Sequence, residues 1–188
     1  MKFKRFLVVL LVITIWSGTM VAASAASQKV RVFVNGNELS DGGLLDEGTT
    51  YLPLRAISNT LQSLIVWDDN TKRIQVYKPN VHMFLFQNQK VFGNVDKDSR
   101  ITFNVMAQVD NLKADISALK IVIADPSGKE ELIQSQDVVG KAKDNFWFPT
   151  KEIRYHFSSG GKYAVRCYMK LGSNDDWVLV SEKTISAE

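Results

Sequence analysis

The chain is poor in the side chains that do most protein chemistry. It has one cysteine, Cys167, and two histidines, His82 and His156, among 188 residues. A single cysteine excludes an intramolecular disulfide. A catalytic thiol would want an imidazole beside it, and both histidines fall in other strand-like segments. Cys167 itself sits in Tyr163 to Met169, where apolar and polar residues alternate. That pattern marks it as a small buried hydrophobe in a strand. Neither histidine stands at ligand spacing from a Cys, an Asp or the other His, so no metal centre is expected and both read as surface or hydrogen-bonded strand residues. The acidic pairs Asp68-Asp69 and Asp175-Asp176 read as turns, and the loop Gly172 to Asp176 offers too few spaced oxygens for calcium. With no acid/base pair, nucleophile–base pair or metal cluster standing out, the chain is read as a non-enzyme without a cofactor.

Net charge is scarce too. The 23 Lys and Arg exceed the 20 Asp and Glu by three, and Lys2, Lys4 and Arg5 account for that excess. A basic face for nucleic acid is therefore not expected. Long apolar runs are absent except at the start, where Phe6 to Ile15 follows those three cations. Small residues come next, ending in Ala23-Ser24-Ala25. Together these read as a secretory leader, residues 1–25, cut after Ala25, with a cut after Ala26 as the alternative. The apolar core falls well short of the ~20 residues a membrane span requires, so membrane contact is expected only through the uncleaved leader. No Cys lies near the cut, which excludes lipid attachment there. The C-terminal segment Glu182 to Glu188 lacks the apolar tail of a sorting signal. Export is expected, with free secretion and non-covalent wall association both open.

Roughly 160 residues then remain, enough for one ordinary domain or two small ones. The chain divides at about Lys78-Pro79-Asn80. Before it, Lys29 to Val34 alternates and leads into Asn35-Gly36, a strong hairpin signal. A Gly-rich loop, Asp41-Gly42-Gly43, precedes a short strand at Thr49 to Leu52. Pro53 stands where a helix can begin, and Leu54, Ile57 and Leu61 recur at helical spacing. Leu64 to Trp67 and Arg73 to Tyr77 read as strands joined by the turn Asp68 to Thr71. A helix on a small antiparallel sheet would bury both apolar faces.

The blocks Val32-Phe33-Val34-Asn35-Gly36, Thr50-Tyr51-Leu52-Pro53-Leu54-Arg55-Ala56-Ile57, Val66-Trp67-Asp68 and Lys72 to Val76 resemble a known module. It is the copper amine oxidase N-terminal-like domain, or stalk domain, of secreted and surface proteins of Gram-positive bacteria, and the resemblance spans residues 28–78. One departure is Leu61-Gln62-Ser63, where that family usually has Leu-Gly-Ala and the Gly closes the helix. The resemblance implies a rigid stalk or spacer with a role at the cell envelope, and no oxidase activity. In the oxidases, copper and quinone belong to a separate and much larger domain. Copper ligation would also need several imidazoles, which this chain lacks.

Residues 81–188 read as all-β. Val81 to Phe86, Arg100 to Val109, Leu119 to Ala124, Ile153 to Phe157, Lys162 to Leu171 and Trp177 to Ile185 are strand-like, with turns such as Asp125-Pro126-Ser127-Gly128 between them. About seven short strands in roughly 100 residues is the pattern of an immunoglobulin-like sandwich. Gly161-Lys162-Tyr163 resembles the strand opening at which such domains bond a Tyr hydroxyl back across a corner. The expected architecture is thus an α+β small domain, a helix on an antiparallel sheet, followed by an immunoglobulin-like β-sandwich.

Binding candidates are few. Phe146-Trp147-Phe148 cannot all face one side of a strand, so Phe146 and Phe148 are expected in the core, with Trp147 capping the first domain or free to stack on a ligand. Trp177 could line a ligand cleft. Arg55, with Asp68, could meet a polar wall component, although Trp67 packed on the helix and Arg55 paired with a carboxylate is the reading the small core favours. The expected role is a non-catalytic envelope module whose partner is a cell-wall component or an extracellular protein. The alternative is capture of a glycan, small molecule or protein by the sandwich.

Overall fold

The computed structural model describes residues 27–138 and 144–188, so the leader and the cut at Ala25 lie outside the described residues. The chain falls into two units divided between Leu54 and Arg55.

In the first unit, β1 (Gln28–Val30), β4 (Gly43–Asp46) and β5 (Thr49–Tyr51) form a three-stranded antiparallel sheet. Strands β2 (Phe33–Val34) and β3 (Asn37–Glu38) form a hairpin of their own. Its turn is Asn35-Gly36 with φ of 51° and 81°, the two positive values that a type I′ turn requires. Arg31 clamps this hairpin with a two-pronged pair to Glu38, at 2.6 Å for each bond. The Gly-rich loop is where β4 begins. A Cβ at Gly42 would lie 2.8 Å from the Val30 carbonyl oxygen, so the close pairing of β1 and β4 needs glycine there.

The short helix α1 (Leu54–Thr60) follows Pro53 and leads into the hairpin β6 (Leu64–Asp68) and β7 (Arg73–Tyr77). At its C-terminus the Ser63 N–H donates to Ser58 O at 2.8 Å, while Gln62 takes the left-handed conformation, φ 57°. This is the six-to-one closure normally given to glycine. The departure seen in the sequence is thus tolerated by placing a side chain in a disfavoured backbone region. Gln62→Gly is therefore expected to raise stability by about 1 kcal/mol, read as a higher urea midpoint at unchanged slope. The β6–β7 turn is held by Asp68, whose Oδ1 accepts from the backbone N–H groups of Asn70 and Thr71 and whose Oδ2 accepts from the Thr71 hydroxyl. These bonds, the hydroxyl's foremost, hold the Asp68 carboxyl below its ordinary pKa.

Two sheets make the sandwich. One runs in the order β10 (Asn94–Val95), β17 (Val178–Ala187), β16 (Gly161–Lys170), β12 (Ala118–Ala124), β13 (Glu130–Asp137). The other runs β14 (Phe146–Pro149), β11 (Ser99–Asp110), β8 (Asn80–Gln87), β9 (Lys90–Val91), with β15 (Ile153–Phe157) also paired to β11. Pairing is antiparallel except for β10 with β17. The run β13-β12-β16-β17 corresponds to the C′-C-F-G order of immunoglobulin-like sandwiches. Alternate residues point inward: Phe103, Val105, Ala107 and Val109 from β11 meet Leu119, Ile121 and Ile123 from β12 and Tyr163, Val165, Cys167 and Met169 from β16 in one core cluster. Leu64, from the hairpin preceding the sandwich, is fully buried in the same cluster.

The corner expected at Tyr163 is present. Its hydroxyl donates to Ser159 O at 3.0 Å and accepts from the Ser159 N–H at 3.1 Å. The ring packs edge-on against Phe157 and Tyr155.

Candidate functional site

The outward side of the sheet β14-β11-β8-β9 is set by strand alternation. Because Met83 and Leu85 are buried, His82, Phe84 and Phe86 face out. On β11 the same rule turns out Asn104, Met106 and Gln108, and on β14 it turns out Trp147 and Pro149. Register aligns them in rows: Trp147, Gln108 and His82; then Pro149, Met106 and Phe84; then Asn104 and Phe86, with Val91 beyond. Trp147 is 61% exposed and Phe84 38%. The Phe84 and Phe86 rings stack with centroids 6.3 Å apart. Beside Phe86 lies a cleft of about 620 Å³ lined by Asn88, Gln89, Asn104 and Glu152.

The flanking aromatics behave as their alternation predicts: Phe148 is buried and Phe146 half-buried. Trp177 is on the other sheet's side, where Lys120 and Lys170 hold their ammonium groups 4.8 and 5.6 Å from its ring centre. Those cations occupy the ring that a ligand would use. Arg55 is exposed and forms no ion pair among the described residues. Trp67 corrects an expectation. It does not pack away but is 53% exposed, its indole N–H donating to Asp69 Oδ1 at 3.4 Å. Its cross-strand partner Ile74 is 49% exposed, so this face of the two-stranded hairpin lies open.

Titratable groups give no catalytic constellation among the described residues. Cys167 is buried, and loss of solvation pushes its thiol to about 12, far from the thiolate a nucleophile needs. His156 pairs with Asp98 at 2.7 Å on the surface. Arg166 bridges Glu130 and Glu182, and Glu130 also accepts from the Tyr168 hydroxyl at 2.6 Å. Burial alone would raise the Glu130 carboxyl, but the Tyr168 and Arg166 bonds outweigh it and leave the pKa lowered. Such a satisfied network braces β13 against β16 and β17. No group of three His, Cys, Asp or Glu able to hold a metal occurs among the described residues.

The fold and this face define a mostly β chain that presents an open, aromatic sheet surface. Residues 33–117 match the family model of the copper amine oxidase N-terminal domain, which in those oxidases is a non-catalytic accessory domain. The match begins at the first residue of β2 and runs through β11, so it reaches beyond the 28–78 segment that carried the resemblance. Among curated proteins nothing matches the chain. Among solved structures, the CARDB domain of a Pyrococcus furiosus protein, determined in complex with di-metal ions, matches with 11% identity and a TM-score of 0.33. That alignment covers 58% of this chain and 89% of the other, a likeness too low to bear on fold detail or ligand.

Proposed function

We propose that the chain is an exported, non-catalytic module of the Gram-positive cell envelope. In this reading residues 1–25 are removed after Ala25, residues 28–78 serve as a stalk domain, and the immunoglobulin-like sandwich binds a wall component or an extracellular protein. The observation that carries it is Trp147, an indole 61% exposed on a sheet face that also carries Met106 and Phe84. An exposed aromatic patch on a sheet costs solubility and is characteristic of contact surfaces. The match of residues 33–117 to an accessory domain supports the same reading.

The test is sedimentation of the chain, recovered from the culture medium, with purified cell wall, beside the Trp147→Ala variant. Mass spectrometry should place its N-terminus at Ala26. Saturable wall binding that falls at least about tenfold in the variant is expected, the loss of one well-packed aromatic contact. Absence of wall binding, with a supernatant protein captured instead, would replace wall association by a secreted partner-binding role.

A further inference from the structure

We infer that the outward face of the β14-β11-β8-β9 sheet is a binding site for an extended, uncharged β-linked glycan, with its end seated in the cleft beside Phe86. The inference rests on the sandwich being the binding half of the molecule and names the ligand class and its site.

Three observations carry it. The first is the shape of the apolar surface. Register puts Trp147, Met106 and Phe86 on a diagonal across three adjacent strands. Strand spacing and rise place its ends roughly 16 Å apart. Two rings with a thioether between them on one sheet face suit a ribbon-like chain laid along them, because the C–H faces of pyranose rings stack on aromatic faces. The second is the polarity of the cleft. Asn88, Gln89 and Asn104 supply amides, each with donors and an acceptor, and Glu152 supplies a carboxylate. Amides that donate and accept match vicinal hydroxyls. Among the described residues the lining holds a carboxylate and no cation, which disfavours a phosphate-rich polymer.

The third is backbone strain at one turn. Among the described residues, three two-residue hairpin turns have both central residues at positive φ: Asn35-Gly36, Glu47-Gly48 and Asn88-Gln89. The first two place glycine second, where it is unstrained. The third keeps Gln89 there at φ 63°, and its side chain lines the cleft. A side chain held in a left-handed conformation costs about 1 kcal/mol or more. Strain of this kind collects at ligand sites.

The experiment is titration of the full chain with cellohexaose and, separately, chitohexaose, followed by calorimetry and by tryptophan fluorescence. The two differ at the sugar 2-position and so separate hexose from N-acetylhexosamine specificity. Saturable binding to at least one is expected. Trp147→Ala should weaken it about tenfold and Gln89→Gly about threefold to tenfold. Gln89→Gly relieves the turn, so lost binding in that variant cannot be put down to lost folding. No binding to either oligosaccharide overturns the inference, as does binding that both variants leave unchanged. Wall sedimentation with no oligosaccharide binding would remove the glycan site while leaving envelope association standing. Oligosaccharide binding without wall sedimentation would do the reverse.

Discussion

Leu64→Ala is expected to destabilise the second unit by about 3–4 kcal/mol and to lower its melting temperature by roughly 10 °C. Leu64 is fully buried, and it belongs to the core cluster of the sandwich although it is the first residue of β6, well before the sandwich strands begin. Truncating it removes an isopropyl group from a site walled by close-packed neighbours, which collapse only partly into the space. The measurement is urea unfolding followed by both near-UV and far-UV circular dichroism. Loss of stability in one coincident transition would show the β6–β7 hairpin and the sandwich unfolding together. A loss below about 1 kcal/mol, or two separate transitions, would make the hairpin an independent piece. The sequence puts a boundary near Lys78-Pro79-Asn80 because polar and proline residues cluster there. One buried leucine upstream is invisible to that kind of reading, and the compact unit starts at Arg55.

Tyr163→Phe is expected to destabilise by about 2 kcal/mol, with an unchanged urea slope. The change leaves the ring, and hence its edge contacts with Phe157 and Tyr155, in place. It removes only the oxygen that satisfies both the N–H and the C=O of Ser159. Backbone groups at a partly buried corner left without partners bear the desolvation penalty in full, which is why one atom counts for so much. A loss under about 0.5 kcal/mol would mean that water takes over both bonds. Tyr163→Leu should cost more than Tyr163→Phe, since it also empties part of the aromatic cluster.

How far the fold could be read from sequence varies by strand. Arg100 to Val109 alternates cleanly because β11 has one face in the core, and it appears as Ser99–Asp110. Ile153–Phe157 and Arg73–Tyr77 appear with the bounds expected. Strand β13, Glu130–Asp137, gave no signal. It pairs only with β12 and is exposed along most of its length, so nothing selects apolar residues there. Strand β4 was hidden by Gly42-Gly43, which signals a loop although Gly42 permits close strand approach. Over residues 27–78 the strands pair as three small sheets, and α1 is a helix of seven residues.

The candidate site divides in the same manner. Trp147 was legible because three consecutive aromatics must split between two faces. Phe84 and Phe86 were present in the strand-like run Val81 to Phe86, but which of its faces meets the core is not set until its partner's register is known. The cleft was out of reach, since Phe86, Asn88, Gln89, Asn104 and Glu152 come together only through the pairing of β8 with β9 and of β11 with β8, β14 and β15.

The sealed thiol at Cys167 makes the molecule a recorder of its own history. While the core is closed the sulfur is inaccessible and, at a pKa near 12, uncharged. Each opening of the β16 region exposes a normal thiol for as long as the opening lasts. In a medium that holds a small disulfide, the exposed thiolate attacks it, forms a mixed disulfide and releases the other half as a thiol, and the blocked chain cannot reseal. The fraction of blocked Cys167 therefore accumulates with the time the core spends open, and it reads the open population from a single sulfur.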